Sequence, residues 1–286
     1  MVVRASSGAS GRRYRPGAPF AGVLWTPEDL TVAPAFWYDN TTAVGASTWD
    51  DKSANNYQLS TLGSTTMPTT NATGLNSMRT LTFNGTNSGL ANTSVAGLRD
   101  LPRNSNYMYA FALAKRTASG GATARTVLNW SNNTNGTARF DMLYGASGNS
   151  NKAYMQVRRL DADATANLIQ VAGDTSAWQM TLAQMEYATG DGYMWVDGTL
   201  NVQNLALTSS GATSNTASGA GFAMGWNGNT GTPTNFADME IAETFGVNAQ
   251  IDQDQIDRMF GYIAWKWGLV ANLPPGHPYK NSPPIV

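Results

Sequence analysis

The chain lacks cysteine and contains one histidine, His277. Without thiols it can form neither a disulfide framework nor a thiolate metal site, and this composition suits a reducing compartment. A single imidazole also argues against a zinc site and against a Ser-His-Asp triad. The remaining metal option is an all-oxygen calcium site built from loop Asp and Asn residues, which the sequence does not localise. We therefore expect no cofactor.

Charged residues are scarce. They make up 13% of the 286 residues, and the formal net charge is −1. Gly, Ser, Thr and Asn carry most of the polarity, which disfavours a helical bundle and favours short strands joined by many turns. The weak net charge gives no field that would recruit nucleic acid or anionic lipid to the whole surface.

Long hydrophobic runs are also missing. No stretch of about 18 apolar residues could span a bilayer, and the N-terminus lacks the apolar core of a signal peptide. The sequence predicts a soluble chain with no membrane partner. We expect one domain over residues 23–286, preceded by a separate segment of residues 1–22.

That N-terminal segment is basic and rich in Gly, Ser, Ala and Pro, with no acidic residue before Glu28. It carries four arginines, which are Arg4, Arg12, Arg13 and Arg15. Its composition predicts an extended arm without a fold of its own. Guanidinium groups suit phosphates, but four arginines without interleaved aromatics are weak evidence for nucleic acid. We expect the arm to bind a protein neighbour.

From Trp25 onward the hydrophobic pattern is mainly of period two. Residues 107–114 alternate bulky with small side chains, which predicts a central strand with two different faces. Residues 139–144 and 153–157 predict two further strands. The dipeptide Asp197-Gly198 follows an apolar run and best fits a type I′ hairpin turn.

Residues 252–268 predict the one well-formed helix. Asp252 is a candidate N-cap with Gln255 three residues on, as in a capping box, and Gly268 supplies the C-terminal stop. Lys266 lies near the negative end of the helix dipole. An apolar stripe that must be buried consists of Ile256, Met259, Phe260, Ile263 and Trp267. Pro274 and Pro275 begin a proline-rich tail.

The amino-acid sequence of this helix resembles a known motif. Residues 256–269, followed by His277-Pro278-Tyr279, resemble the C-terminal signature of laminin-G-like, concanavalin A-like jelly-roll domains common in bacteriophage structural proteins. Near the other end, residues 36–39 and the turn 49–53 resemble that family's entry strand. The family continues this turn with Gly-Asn, where this chain has Ala54-Asn55-Asn56. The resemblance implies an all-β, two-sheet antiparallel jelly-roll sandwich with one C-terminal amphipathic helix.

The acidic segment 238–243 raises the question of hydrolysis, because glycoside hydrolases of the same fold carry paired acids on a bulged strand. Retaining hydrolysis needs two carboxyls about 5–5.5 Å apart. On a regular strand Asp238 and Glu240 share a face, while Glu243 points the other way unless a bulge intervenes. We expect Glu243 to be the ordinary acid of the resembled family and predict no catalytic residue.

The nine tryptophans suggest sugar binding, because carbohydrate rings stack on exposed aromatic faces. The patterns predict burial for Trp37, Trp195 and Trp267, whereas Trp130 and Trp226 border Asn- and Gly-rich loops and are expected to be exposed. The candidate ligand-binding residues are therefore Trp226, Asn227, Asn229 and Trp130. The competing interpretation is an ordinary polar turn that packs its one aromatic.

The resemblance implies a non-enzymatic bacteriophage virion protein, assembled in the host cytoplasm and acting as a capsid decoration or auxiliary protein. Its partners would be the major capsid protein or other virion subunits, with the chain a homo-oligomer in the assembly. The alternative is a lectin-like adsorption or tail-fibre protein that binds surface glycans. A glycoside hydrolase comes third.

Overall fold

The structure is a computed structural model that describes residues 22–117, 124–130, 139–145, 152–163, 167–172, 176–215, 221–227 and 234–286. These residues contain sixteen strands and two α-helices. The strands of the first half of the chain are β1 (Phe36–Tyr38), β2 (Thr48–Trp49), β3 (Leu59–Ser60), β4 (Thr69–Leu75), β5 (Met78–Asn84), β6 (Leu90–Asn92), β7 (Tyr107–Arg116), β8 (Arg125–Trp130) and β9 (Arg139–Tyr144). Those of the second half are β10 (Lys152–Arg158), β11 (Asn167–Ala172), β12 (Gln179–Glu186), β13 (Asp191–Val196), β14 (Thr199–Asn204), β15 (Phe222–Met224) and β16 (Asp238–Val247). The helices are α1 (Ala96–Arg99) and α2 (Gln253–Trp267).

The strands form two eight-stranded antiparallel sheets. The helix-side sheet has the order β14-β13-β12-β7-β16-β5-β4, and β1 also pairs with β16. The second sheet has the order β11-β10-β9-β8-β15-β6-β3-β2. One apolar core lies between the two sheets, and a second lies between the helix-side sheet and α2. The predicted fold class, an all-β sandwich with a C-terminal helix, is confirmed.

Strand β7 shows why the alternating pattern predicted the layers. Its small side chains Ala110, Ala112 and Ala114 face the interior of the sandwich. Its bulky side chains, among them Phe111 and Leu113, lie under α2 instead. Alternation along one strand therefore serves two cores at once.

Helix α2 confirms the predicted caps and stripe. The Asp252 carboxylate accepts a hydrogen bond from the Gln255 backbone N–H over 2.9 Å, and Gly268 has a left-handed φ of 71°. All five residues of the predicted stripe are buried. Only half of the capping box forms, because the Gln255 side chain donates to Thr31 Oγ1 over 2.6 Å. The amide thus ties the helix to the loop that precedes β1.

The predicted hairpin turn is confirmed at Asp197 and Gly198. Their φ angles are 52° and 82°, as a type I′ turn requires, and Val196 pairs with Thr199 across the turn. Within the described residues no helix is long and apolar enough to cross a membrane. The four arginines of the arm, Arg4, Arg12, Arg13 and Arg15, lie outside the described residues, so the arm and its partner stay predictions.

Candidate functional site

The acid of the resembled family, Glu243, is buried under α2 and holds four donors. Its Oε1 accepts from Trp37 Nε1 at 2.6 Å and from the Tyr262 hydroxyl at 2.9 Å. Its Oε2 accepts from Lys266 Nζ and Trp267 Nε1, each at 2.7 Å. The side chain is 0% exposed. Glu243 is therefore saturated by structural contacts.

A second buried carboxylate, Asp39, shares the same lysine. Its Oδ2 lies 2.7 Å from Lys266 Nζ and 3.0 Å from Lys52 Nζ, while Oδ1 accepts from the Thr41 hydroxyl. Burial by itself would raise the pKa of Asp39, but the two lysines and these hydrogen bonds hold that pKa well below its usual range. The neighbouring acids Glu243 and Asp39 outweigh burial at Lys266 and raise its pKa. We call Asp39, Lys52, Glu243 and Lys266 the buried ionic cluster.

The turn at residues 49–53 holds the entry strand in place. The buried Asp51 carboxylate accepts from the backbone N–H groups of Trp37, Ser53 and Tyr57 at 2.8–2.9 Å. The family's glycine is missing here, and Asn56 takes the left-handed conformation with a φ of 53°. The residues of this turn thus assemble the fold.

A bulge in β16 decides the geometry of the acidic segment. Its register against β7 shifts between Ile241 and Glu243, so Asp238, Glu240 and Glu243 all lie on the helix side of the sheet. Glu240 accepts from Thr80 Oγ1 at 2.8 Å and pairs with Lys115 at 3.3 Å. Because Glu243 is enclosed, it cannot attack a glycosidic carbon. Glu243 therefore cannot form a hydrolytic pair with the other acids of β16.

The expected exposure of Trp130 and Trp226 is wrong. Both side chains are 0% exposed. Their indole N–H groups donate to the backbone carbonyls of Leu98 and Leu90, each over 3.0 Å. A buried indole must satisfy its N–H, and these carbonyls do so inside the protein. Neither ring offers a face to a sugar, whereas the predicted burial of Trp37, Trp195 and Trp267 is confirmed.

The polar neighbours of Trp226 give little support to a ligand loop. Asn227 is 3% exposed, and its side chain bonds to Thr234. Asn229 lies outside the described residues, so its role stays a prediction. His277 has a packing role in the tail, since it is 6% exposed and its Nδ1 accepts from the Tyr279 backbone N–H over 3.2 Å.

A different cluster lies on the helix side of the sheet. Five residues of β7, β12 and β13 meet there through strand register, and we call them the tyrosine–carboxylate patch: Tyr107, Gln184, Glu186, Asp191 and Tyr193. Glu186 is paired with Tyr107 on one side and with Asp191 on the other. Gln184 is paired with Tyr193. Both tyrosines pack on the edge of the helix-side core and remain partly exposed.

Hydrogen bonds fix the polar groups of this patch. Trp195 Nε1 donates to Gln184 Oε1 over 3.0 Å, and Gln184 Nε2 donates to Glu186 Oε1 over 3.1 Å. The Tyr109 hydroxyl donates to the same oxygen over 3.1 Å. Within the described residues Glu186 Oε2 takes no such bond. The carboxylate is thus held by its neighbours on one oxygen and keeps the other as a free acceptor.

The patch carries uncompensated negative charge. Among the described residues no Lys or Arg nitrogen lies within 4.0 Å of Glu186 or Asp191. The pKa of Tyr193 is raised by burial and then by the charges of Asp191 and Glu186. The pKa of Tyr109 is raised by burial and by Glu186. The hydroxyls of Tyr109 and Tyr193 therefore stay protonated near physiological pH.

Sequence reasoning missed this patch because its members come from three strands. The available signal was local and weak. Gln184 and Glu186 are polar residues at alternate positions of β12, where a solvated face is the ordinary interpretation. Only the register of β12 against β7 and β13 brings the tyrosines beside them.

Comparison with known proteins places the fold. No family model matches the chain, and no curated protein matches it. The structure is similar to the binding domain of Paraclostridial Mosquitocidal Protein 1, with a TM-score of 0.58, 9% identity, and coverage of 82% of this chain and 53% of that one. It is also similar to a structure of botulinum neurotoxin type C, with a TM-score of 0.54 and 12% identity over 82% of this chain and 51% of that one.

A third similar structure is the CBM40 domain of the Ruminococcus gnavus IT-sialidase bound to α2,6-sialyllactose. The TM-score is 0.50 and the identity 11%, over 64% of this chain and 95% of that one. The chain spans about half the length of the two toxin structures. At these identities the likeness shows a jelly-roll β-sandwich. Membership of the laminin-G-like phage family stays a prediction.

Proposed function

We propose that the protein is a non-enzymatic, lectin-like carbohydrate-binding domain whose ligand contacts the tyrosine–carboxylate patch. The observation that carries the proposal is the free Glu186 Oε2 beside the partly exposed ring of Tyr107. A sugar ring has an apolar face that suits an aromatic ring and hydroxyls that donate to a carboxylate. The patch offers both groups on a rigid sheet.

The fold comparisons support the same class of ligand. The similar CBM40 structure holds sialyllactose, and cell entry of botulinum neurotoxin type C depends on interaction with two ganglioside molecules. Those ligands belong to those proteins. They favour the lectin-like interpretation of this chain over the capsid decoration role. The virion role, its capsid partner and its homo-oligomeric assembly stay predictions.

The proposal is tested by glycan binding to the purified chain. An oligosaccharide array followed by calorimetry should show saturable binding. Tyr193→Ala removes one aromatic face and Glu186→Gln removes a charged acceptor, and we expect each to weaken binding about tenfold or more. Thermal denaturation of each variant checks that the fold is intact.

The matched control is Trp178→Ala. Trp178 is a partly exposed aromatic at the edge of the same helix-side core, and Lys115 Nζ lies 5.1 Å from its ring centroid. We expect this variant to bind as the parent does. Absence of saturable binding to any glycan would refute the function. Loss of binding in the Trp178 variant alone would show that the ligand binds near Trp178 and not at the patch.

A further inference from the structure

Resting on the proposed function, we infer that the site selects neutral glycans and discriminates against those that carry a carboxylate, such as sialylated ones. The juxtaposition of Glu186 and Asp191 as a cross-strand pair, with no described cation nearby, leads to this inference. It sets this chain apart from the similar domain that holds sialyllactose.

The charge geometry follows from strand register. Glu186 and Asp191 are directly opposite each other on β12 and β13, which places their Cβ atoms about 4.5–5.5 Å apart. Like charges at such positions repel unless a cation or solvent separates them. By contrast, the buried acids Asp39 and Glu243 share Lys266 as a partner. The pair of Glu186 and Asp191 lacks one within the described residues.

An anionic sugar bound on the patch would be repelled by the charges of Glu186 and Asp191. A sugar carboxylate about 7 Å from each acid would be repelled by roughly a factor of three per acid in water, or about tenfold for the two. A neutral sugar makes the same stacking and hydroxyl contacts without that penalty. Glu186 Oε2 also requires a donor, which a hydroxyl provides and a carboxylate does not.

The aromatic side of the patch fits a flat, uncharged ligand as well. Tyr107 and Tyr193 present partly exposed rings, and burial raises the pKa of Tyr193, which keeps its hydroxyl protonated. Gln184 is fixed by Trp195 and Glu186 and is 6% exposed, so it orients the carboxylate and takes little part in direct contact. Specificity therefore rests on Glu186 and Asp191.

The decisive experiment uses an array of neutral oligosaccharides, each beside its sialylated or uronic-acid form, with lactose beside 3′-sialyllactose among the pairs. Calorimetry on the tightest pair should show about tenfold preference for the neutral member at 20 mM salt. At 0.5 M salt the preference should fall below about threefold, because screening shortens the reach of the two charges.

Asp191→Asn isolates the charge from the contacts. We expect the affinity for the anionic member to rise about threefold relative to that for the neutral member at low salt. Equal or tighter binding of the anionic member by the parent protein, lost on Tyr193→Ala, would overturn the inference while the proposed function stands. Binding of no glycan at all would overturn the proposed function itself. Glycan binding that neither Tyr193→Ala nor Glu186→Gln weakens would place the ligand elsewhere and overturn both the site and the inference.

Discussion

Lys266 donates to Glu243 over 2.7 Å, and this ion pair joins the last turn of α2 to the middle of β16. The lysine side chain is 13% exposed and the glutamate 0%. The same ammonium bonds to Asp39 just past β1, so three elements distant in sequence are held at one point. A buried pair whose remaining donors and acceptors are satisfied fixes the position of a helix more than it adds net stability.

Replacing Lys266 by Met should therefore destabilise the protein strongly. The change leaves two carboxylates buried without their shared cation, and we expect a loss of about 3–5 kcal/mol in the free energy of unfolding. Urea denaturation followed by tryptophan fluorescence measures it. The control is Lys52→Met, which removes a 30% exposed lysine from the same Asp39 and should cost about 1 kcal/mol or less. Similar losses in both variants would contradict the central role of Lys266.

Acid should weaken the same cluster through Asp39. Its pKa is depressed in the folded protein, so its contribution is complete above the unfolded pKa of about 3.9 and is lost as pH falls through the lower folded value. We expect stability to drop between about pH 4 and pH 2. Asp39→Asn should lower stability at pH 7 and flatten this part of the profile. An unchanged profile in that variant would assign the acid sensitivity to other groups.

The hairpin turn at Asp197 predicts the opposite pH dependence. Burial raises the pKa of Asp197 to about 6, against hydrogen bonds from the Met180 backbone and the Asn272 side chain that lower it. A raised carboxyl pKa contributes stability below the unfolded value of about 3.9, and that stability is lost as pH rises through about 6.

Asp197→Asn should therefore stabilise the protein at pH 7.5 and have little effect at pH 4. Asn tolerates the left-handed backbone of this turn and keeps an acceptor for the Met180 N–H. We expect a gain on the order of 1–3 kcal/mol at pH 7.5, measured as the change in Tm at the two pH values. A gain of equal size at pH 4 would show that the effect does not come from titration.

Trp130→Phe should destabilise the fold by about 2–3 kcal/mol and leave glycan affinity unchanged. The change removes the bond to the Leu98 carbonyl and leaves a void among Phe36, Phe140 and Phe222. Chemical denaturation and calorimetry on the same sample separate the two effects. Trp178→Phe, at a partly exposed site, should cost less than about 1 kcal/mol. A folded Trp130 variant with impaired sugar binding would contradict this prediction and show that Trp130 takes part in binding.

The parts of the fold that the sequence predicted correctly depend on neighbours a few residues apart. The caps of α2 and the turn at Asp197 and Gly198 are set by bonds within four residues. The alternation of β7 needs only the period of a strand. Sequence alone was sufficient at these positions.

The errors share a long-range cause. The hydrogen-bond partners of Trp130 and Trp226 lie 32 and 136 residues away in the chain. No local pattern predicts that a backbone carbonyl accepts from each indole N–H. Neighbouring Asn and Gly residues suggested exposure, whereas Trp130 lies in the core between the sheets and Trp226 packs with Ala91, Ala223 and Phe236. The tyrosine–carboxylate patch likewise depends on strand register, which pairs Glu186 with the distant Tyr107.

Because of its bulge, the number of residues in β16 determines which face each side chain takes, as much as the residue types do. Before the bulge, Met239 and Ile241 fill the interior of the sandwich; after it, Phe245 and Val247 lie under α2. Deleting a residue beyond the bulge, such as Thr244, would shift the two-residue period and turn Phe245 and Val247 from α2 toward the interior of the sandwich. In evolutionary terms, a substitution along this strand changes single contacts, but a one-residue deletion beyond the bulge moves every following side chain to the opposite face. Relatives should therefore keep its length even where its sequence has drifted.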